Sequence, residues 1–191
     1  MGRAEGREKG ETIAVVGARS VSAKYGERIV HVVDDLLGRG FTIASGGAMG
    51  ADQYVLSRLI ARGRFNRGVV FSAWDTMRAF PVKVRRDIAM FQHNGGQIVW
   101  GTSSGAGHRG AIKGALLYRN RKMVDASDGV VAFLTEQSRG TFFTVQTAIE
   151  SRRKLAVFPI DRTLPNFKAV KWVPMACGGV WDGAYRAVYL R

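Results

Sequence analysis

Within its first 72 residues the chain alternates apolar runs of strand length with segments of helical period, and this rhythm restricts the fold more than any other feature. Thr12-Ile13-Ala14-Val15-Val16, Phe41-Thr42-Ile43-Ala44 and Val69-Val70-Phe71 are short β-prone runs. Between the first two, Ile29, Val32, Val33, Leu36 and Leu37 recur at i, i+3 and i+4 spacing from a start near Ser22, and Gly38 or Gly40 ends the segment. Val55, Leu56, Leu59 and Ile60 repeat that pattern between the second and third runs, beginning at about Gly50 and stopping near Gly63. Parallel strands need crossovers, and a helix between each pair of strands supplies them. The expectation is an α/β fold, doubly wound, with a mostly parallel sheet and helices on both faces.

The rest of the chain continues the theme less regularly. Helices are expected over 79–91, 111–126 and 142–152, and strands over Gln97–Trp100, Gly129–Leu134 and Leu155–Phe158. Beyond Asp161 the pattern changes: Trp172, Trp181, Tyr185 and Tyr189 stand among Lys168, Lys171 and Arg186 with turn glycines between them. We read residues 1–11 as a frayed tail, 12–160 as one Rossmann-like domain, and 161–191 as an appendage packed on the core.

Charge is the unusual bulk property. Twenty-nine Lys and Arg stand against 15 Asp and Glu, a net +14, and such a field concentrates polyanions or phosphorylated ligands around the molecule. No apolar run has the roughly 18–20 residues of a membrane span, so no membrane partner is expected and the cytoplasm is the natural compartment. The lone Cys177 excludes an intrachain disulfide and reads as a plain small residue. His31, His93 and His108 lack metal-ligand spacing, so no metal and no cofactor are expected. His31 reads as structural; His108 stands beside a glycine-rich loop and is weighed as a ligand contact.

Ligands of an open α/β sheet bind outside the carboxyl ends of its strands. Four segments are expected to meet there: Gly17-Ala18-Arg19-Ser20, the loop from Ser45 through Gly46, Gly47 and Gly50 to Asp52, the Gly101–Gly107 loop with the downstream Arg119-Asn120-Arg121, and Ser138-Arg139-Gly140-Thr141. The second and fourth run into helices. Glycines there let backbone N–H groups approach an anion, and the helix dipole favours negative charge. Ser45 and Thr141 add hydroxyl donors, while Asp52 either caps its helix or orients a ribose hydroxyl. No G-x-x-x-x-G-K-[ST] loop is present and no G-x-G-x-x-G turn follows the first strand, which disfavours a P-loop NTPase and ordinary dinucleotide binding.

Taken in order, Val15-Val16-Gly17-Ala18-Arg19, Ser45 to Asp52, Arg119-Asn120-Arg121, Arg139-Gly140-Thr141-Phe142-Phe143-Thr144, and Ala148-Ile149-Glu150 through Pro159 resemble the core of the DNA-processing protein A family. The likeness spans roughly residues 12–160, within a wider group that includes the lonely-guy phosphoribohydrolases. It implies a basic pocket for single-stranded DNA, a homodimer and a recombinase partner. By resemblance Gly46, Gly47, Gly50, Arg119, Arg121, Gly140 and Thr141 line that pocket. Two positions depart from the pattern: Met49 stands where the family commonly has arginine, and Arg139 where it usually has serine. The winged-helix extension of the family is not expected after the core.

The leading expectation is therefore a non-enzymatic binder of single-stranded DNA or of a phosphorylated nucleotide, acting in DNA processing or recombination. A small-nucleotide sensor or carrier is the alternative. A phosphoribohydrolase is the third reading, and it is opposed by Thr144, which occupies the place of that group's catalytic glutamate. Glu150, two turns further along, is too distant to substitute.

Overall fold

The computed structural model describes residues 10–105, 108–161, 163–176 and 178–190. Cys177 and most of the expected tail (1–9) lie outside the described residues. Glu11 lies within them. Its carbonyl accepts from the Thr42 N–H and its carboxylate pairs with Lys154.

Six parallel strands form in the expected order: β1 (Thr12–Gly17), β2 (Thr42–Ser45), β3 (Gly68–Phe71), β4 (Gln97–Val99), β5 (Gly129–Leu134) and β6 (Lys154–Pro159). Helices α1 (Ala23–Gly38), α2 (Ala51–Ala61), α3 (Val82–His93), α4 (Arg109–Asp125) and α5 (Arg139–Glu150) connect them. The strand order is β4-β3-β2-β1-β5-β6-β8-β7. The chain thus winds outward from β1 to β4, returns through α4 to the other side of β1, and winds outward again. The reversal between β1 and β5 is the topological switch point of this doubly wound sheet.

Side-chain alternation divides the core into two layers. Ile13, Val15, Val131, Phe133 and Phe158 point toward α1, α2 and α3; Ala14, Val16, Val130, Ala132 and Val157 point toward α4 and α5. β5 is buried at all six positions, as befits a central strand covered on both faces.

Two boundaries matter for function. α5 starts at Arg139, three residues before the expected position, so Gly140 and Thr141 lie in its first turn instead of the loop before it. The residues after Asp161 also do more than cover the core. β7 (Val170–Pro174) and β8 (Tyr185–Tyr189) form an antiparallel hairpin that pairs β8 against β6 and extends the same sheet. Tyr189 secures this addition, its hydroxyl donating to the carbonyls of Ala148 and Arg153; burial raises the pKa of its phenol. Among the described residues no helix is long and apolar enough to cross a membrane.

An ion-pair cluster ties α1 to α2: Asp34 accepts from Arg58 and, at 3.1 Å, from Arg62. The Arg58 hydrogen bonds hold the Asp34 carboxyl down at about 2, against its burial, from an ordinary 3.8. Because the folded value is the lower one, this contribution is complete above the ordinary value and vanishes as pH falls through the folded value. Asp34→Asn should cost about 1 kcal/mol at neutral pH, a figure reduced from the full linkage value for the solvent screening of this half-open cluster. Urea melts of both proteins across the acid range check it: the gap should close between pH 3.8 and about 2.

Candidate functional site

A cavity of about 780 Å³ opens at the switch point. Gly17, Arg19 and Ser20 come to it from the end of β1, Thr135 and Gln137 from the end of β5, and Arg139, Gly140, Thr141 and Phe143 from the first turns of α5. α4 forms the facing wall with Lys113, Leu116, Leu117 and Asn120. Those four recur at i, i+3, i+4 and i+7, the spacing that puts them on one face of a helix. The pocket therefore combines an apolar wall (Leu116, Leu117, Phe143 and Met49) with three exposed cations, Arg19, Lys113 and Arg139. None of the three pairs with an acidic group among the described residues.

The two glycine-bearing helix starts, expected to act alike, differ. α2 satisfies its own. Asp52 Oδ2 accepts from the Ala48 N–H at 3.0 Å, Gln53 Oε1 accepts from the Gly50 N–H, and the Ala51 N–H donates to the Ala18 carbonyl. Asp52 thus ties down the loop that enters α2 and places the protein's own carboxylate at this helix start. α5 has no acidic residue in its first turn. The Ser138 hydroxyl, which could have capped it, instead accepts from the Thr135 N–H and donates to the Thr135 carbonyl. Gly140 and Thr141, both on the cavity, consequently present the electropositive end of α5 to it.

Arg119 also lines the cavity, as expected, but from a different setting. Instead of reaching into solvent as a phosphate donor it is buried, 8% exposed, beneath the α2 loop. There it pairs with Asp52 at 3.7 Å, both side chains being 8% exposed. Only glycine permits this at position 46, since a Cβ there would lie 1.2 Å from Arg119 Nη1. Burial lowers the pKa of the Arg119 guanidinium; the Asp52 charge opposes that shift, and the nearby Arg19 charge adds to it. Ser45 Oγ and Arg119 Nε are buried and, among the described residues, have no hydrogen-bond partner. Ser45, Gly46 and Gly47 are all buried and, like Gly50, sit behind the cavity wall instead of lining it.

Arg121 turns away. Two residues on from Arg119 along a helix it projects about 200° around the axis, and it pairs with Glu150 of α5 at 3.7 Å. Asn120 takes the expected pocket position, its side-chain amide donating to the Gly140 carbonyl at 3.3 Å. Residues 101–105 of the Gly101–Gly107 loop also fall outside the site, and 106–107 lie outside the described residues: β4 is an edge strand, and Gly101 and Ser103 bond to Trp74 and Ala73 beside β3. His108 is exposed at the N-cap of α4, and His31 lines a separate cavity of about 380 Å³ beside α1.

For acid–base chemistry the described lining offers two carboxylates, Asp52 and Asp161. Asp52 is committed to Arg119 and Ala48, and Asp161 accepts from the Glu136 N–H at 2.9 Å. The Thr144 hydroxyl donates to the Gly140 carbonyl within its own helix. Among the described residues no group of three or more His, Cys, Asp or Glu is placed to hold a metal ion.

The profile of the DNA recombination-mediator protein A family matches residues 1–173. The chain belongs to this family. Among solved structures it is similar to DNA processing protein A from Helicobacter pylori, a protein described by its mode of binding single-stranded DNA. That likeness has a TM-score of 0.67 at 19% identity, over 83% of this chain and 68% of the other. DNA processing protein A from Streptococcus pneumoniae matches with a TM-score of 0.62 at 21% identity, over 83% of this chain and 53% of that one. At such identities the two structures establish a shared fold, and this member of the DNA recombination-mediator protein A family spans about half to two-thirds of their length. A search of curated proteins found no match.

Proposed function

We propose that the chain binds single-stranded DNA, without catalysis, in the cavity between the β1 loop, α4 and the start of α5. The observation that carries this reading is the pairing in one pocket of three cations, without an acidic partner among the described residues, with an apolar, phenylalanine-bearing wall. Arg19, Lys113 and Arg139 face phosphates, and the amides at Gly140 and Thr141 reinforce them. Leu116, Leu117 and Phe143 offer bases a surface that is sequence-tolerant, because every base has an apolar face. Family membership and the description of the H. pylori relative support the same reading.

Fluorescence anisotropy with oligo-dT tests it. Affinity should fall with added salt with a log–log slope of about −0.7 for each phosphate neutralised. Absence of binding at low salt, or a flat salt response, would remove the proposal. The homodimer, the recombinase partner, the cytoplasmic setting and the one-domain organisation over 12–160 belong to the same reading, and light scattering on the purified chain tests the first of these.

A small-nucleotide sensor or carrier is favoured by one specific observation, the cavity volume, which falls within the range of about 300–1,000 Å³ usual for small-molecule sites. This second reading predicts that a mononucleotide raises the melting temperature as much as an oligonucleotide does, since any ligand selective for the folded state stabilises it.

A further inference from the structure

The basic residues of this chain are distributed in two ways. On the outer helix faces and around the amino ends of the strands several are neutralised: Arg39 by Asp35, Arg58 and Arg62 by Asp34, Arg121 by Glu150, Lys154 by Glu11, with Arg67 and Arg153 held by backbone carbonyls. Along the carboxyl ends Arg119 pairs with Asp52 and Arg85 bonds backbone carbonyls, while a row of others is left over. Arg78, Lys83, Arg109 and Lys113 are exposed and, among the described residues, have no side-chain partner.

These four form a path that begins in the pocket. Lys113 is on the cavity wall. Arg109 lies one turn before it at the start of α4, about 6 Å along the helix axis. The loop leading into α4 packs on the loop leading into α3: the Asp75 N–H donates to the Ser103 carbonyl at 2.9 Å, and a Cβ at Gly105 would lie 2.9 Å from the Ala79 Cβ. Ala79 follows Arg78, and Lys83 is the second residue of α3. The row therefore crosses from the switch point to the β3–β4 edge, two to three strand spacings or roughly 10–15 Å. One acidic residue, Asp75, stands in this loop pair against the four cations. Neither α3 nor α4 has an acidic residue in its first turn, so Lys83 and Arg109 add positive charge to the positive helix ends, an arrangement that an anion lying beside them relieves.

We propose that this row is the exit track of the bound strand: single-stranded DNA leaves the pocket past Lys113 and Arg109 and runs over Arg78 and Lys83 toward the β3–β4 edge. The inference rests on the proposed DNA-binding reading and specifies its ligand as a polymer several nucleotides long with a fixed direction of exit.

The test compares dT3 and dT20 binding to three proteins: the wild type, Arg78→Gln/Lys83→Gln/Arg109→Gln, and a control with equal charge loss on the hairpin side, Lys168→Gln/Lys171→Gln/Arg186→Gln. The wild type should bind dT20 more tightly than dT3. The track variant should lose that gain, its salt slope for dT20 falling by about 2, from about 0.7 for each of three phosphates, while dT3 binding is kept. The hairpin control should behave as wild type. Unchanged dT20 binding by the track variant, or loss of the gain in the hairpin control instead, overturns the track and leaves the pocket standing. Failure of the wild type to bind either oligonucleotide overturns both.

Discussion

Asp52→Ala is expected to lower the free energy of unfolding by about 3–5 kcal/mol, the cost of removing one partner from a buried ion pair. The change strands Arg119, which is 8% exposed and has no other acid within reach among the described residues. It also removes the acceptor of the Ala48 N–H and so loosens the loop that carries Gly46 and Gly50. Chemical denaturation measures the loss. The decisive comparison is Asp52→Ala with Arg119→Met, which removes both charges and leaves an apolar chain of similar length. If the damage comes from an uncompensated guanidinium, the double variant should recover a substantial part of the stability. A double variant as unstable as the sum of the single ones would show that the pair matters for something other than charge balance.

The second large effect concerns binding. Replacing Arg19, Lys113 and Arg139 together by glutamine should reduce oligo-dT affinity on the order of 100-fold at 0.1 M salt and flatten the salt slope by about 2, given about 0.7 counterion released per phosphate. All three side chains are exposed, so the melting temperature should hardly move. That separates lost contact from lost fold. The matching change at Arg121, which pairs with Glu150 on the outside of α4 and α5, should leave affinity within a few fold of the wild type. A larger loss at Arg121 than at the pocket cations would place the nucleic acid on the wrong side of α4 for this account.

Much of the architecture is legible in the chain because parallel strands covered on both faces write themselves as unbroken apolar runs. Gly129–Leu134 is the plainest case, and it is strand β5, buried at every position. The hairpin of β7 and β8 is not legible in this way. Its strands are short, exposed on one face, and interrupted by Lys171 and Arg186, so their aromatic residues read as surface packing. The site is legible as a place and less so as a list. Gly17, Arg19, Ser20, Arg139, Gly140 and Thr141 reach the cavity because they follow the two strands that flank the switch point. Arg121 turns the other way because it pairs with Glu150 of α5, a partner 29 positions further along the chain. The burial of Arg119 is no more local: it depends on Asp52, 67 positions earlier, and on the empty space above Gly46. Lys113, Leu116 and Leu117 carried a helical stripe as their only signal, and the stripe became meaningful once the β4-to-β5 crossover laid α4 across the switch point.

The claim at the centre is that DNA phosphates settle against the start of α5 and the β1 loop. Backbone amide shifts of the isotopically labelled chain, followed during titration with a short oligo-dT, read this directly. Gly140, Thr141, Arg19 and Ser20 should shift first and furthest, with the α4 residues from Lys113 to Asn120 following. Shifts concentrated in the β7–β8 hairpin, with the amides of Gly140 and Thr141 unmoved at saturation, would contradict it.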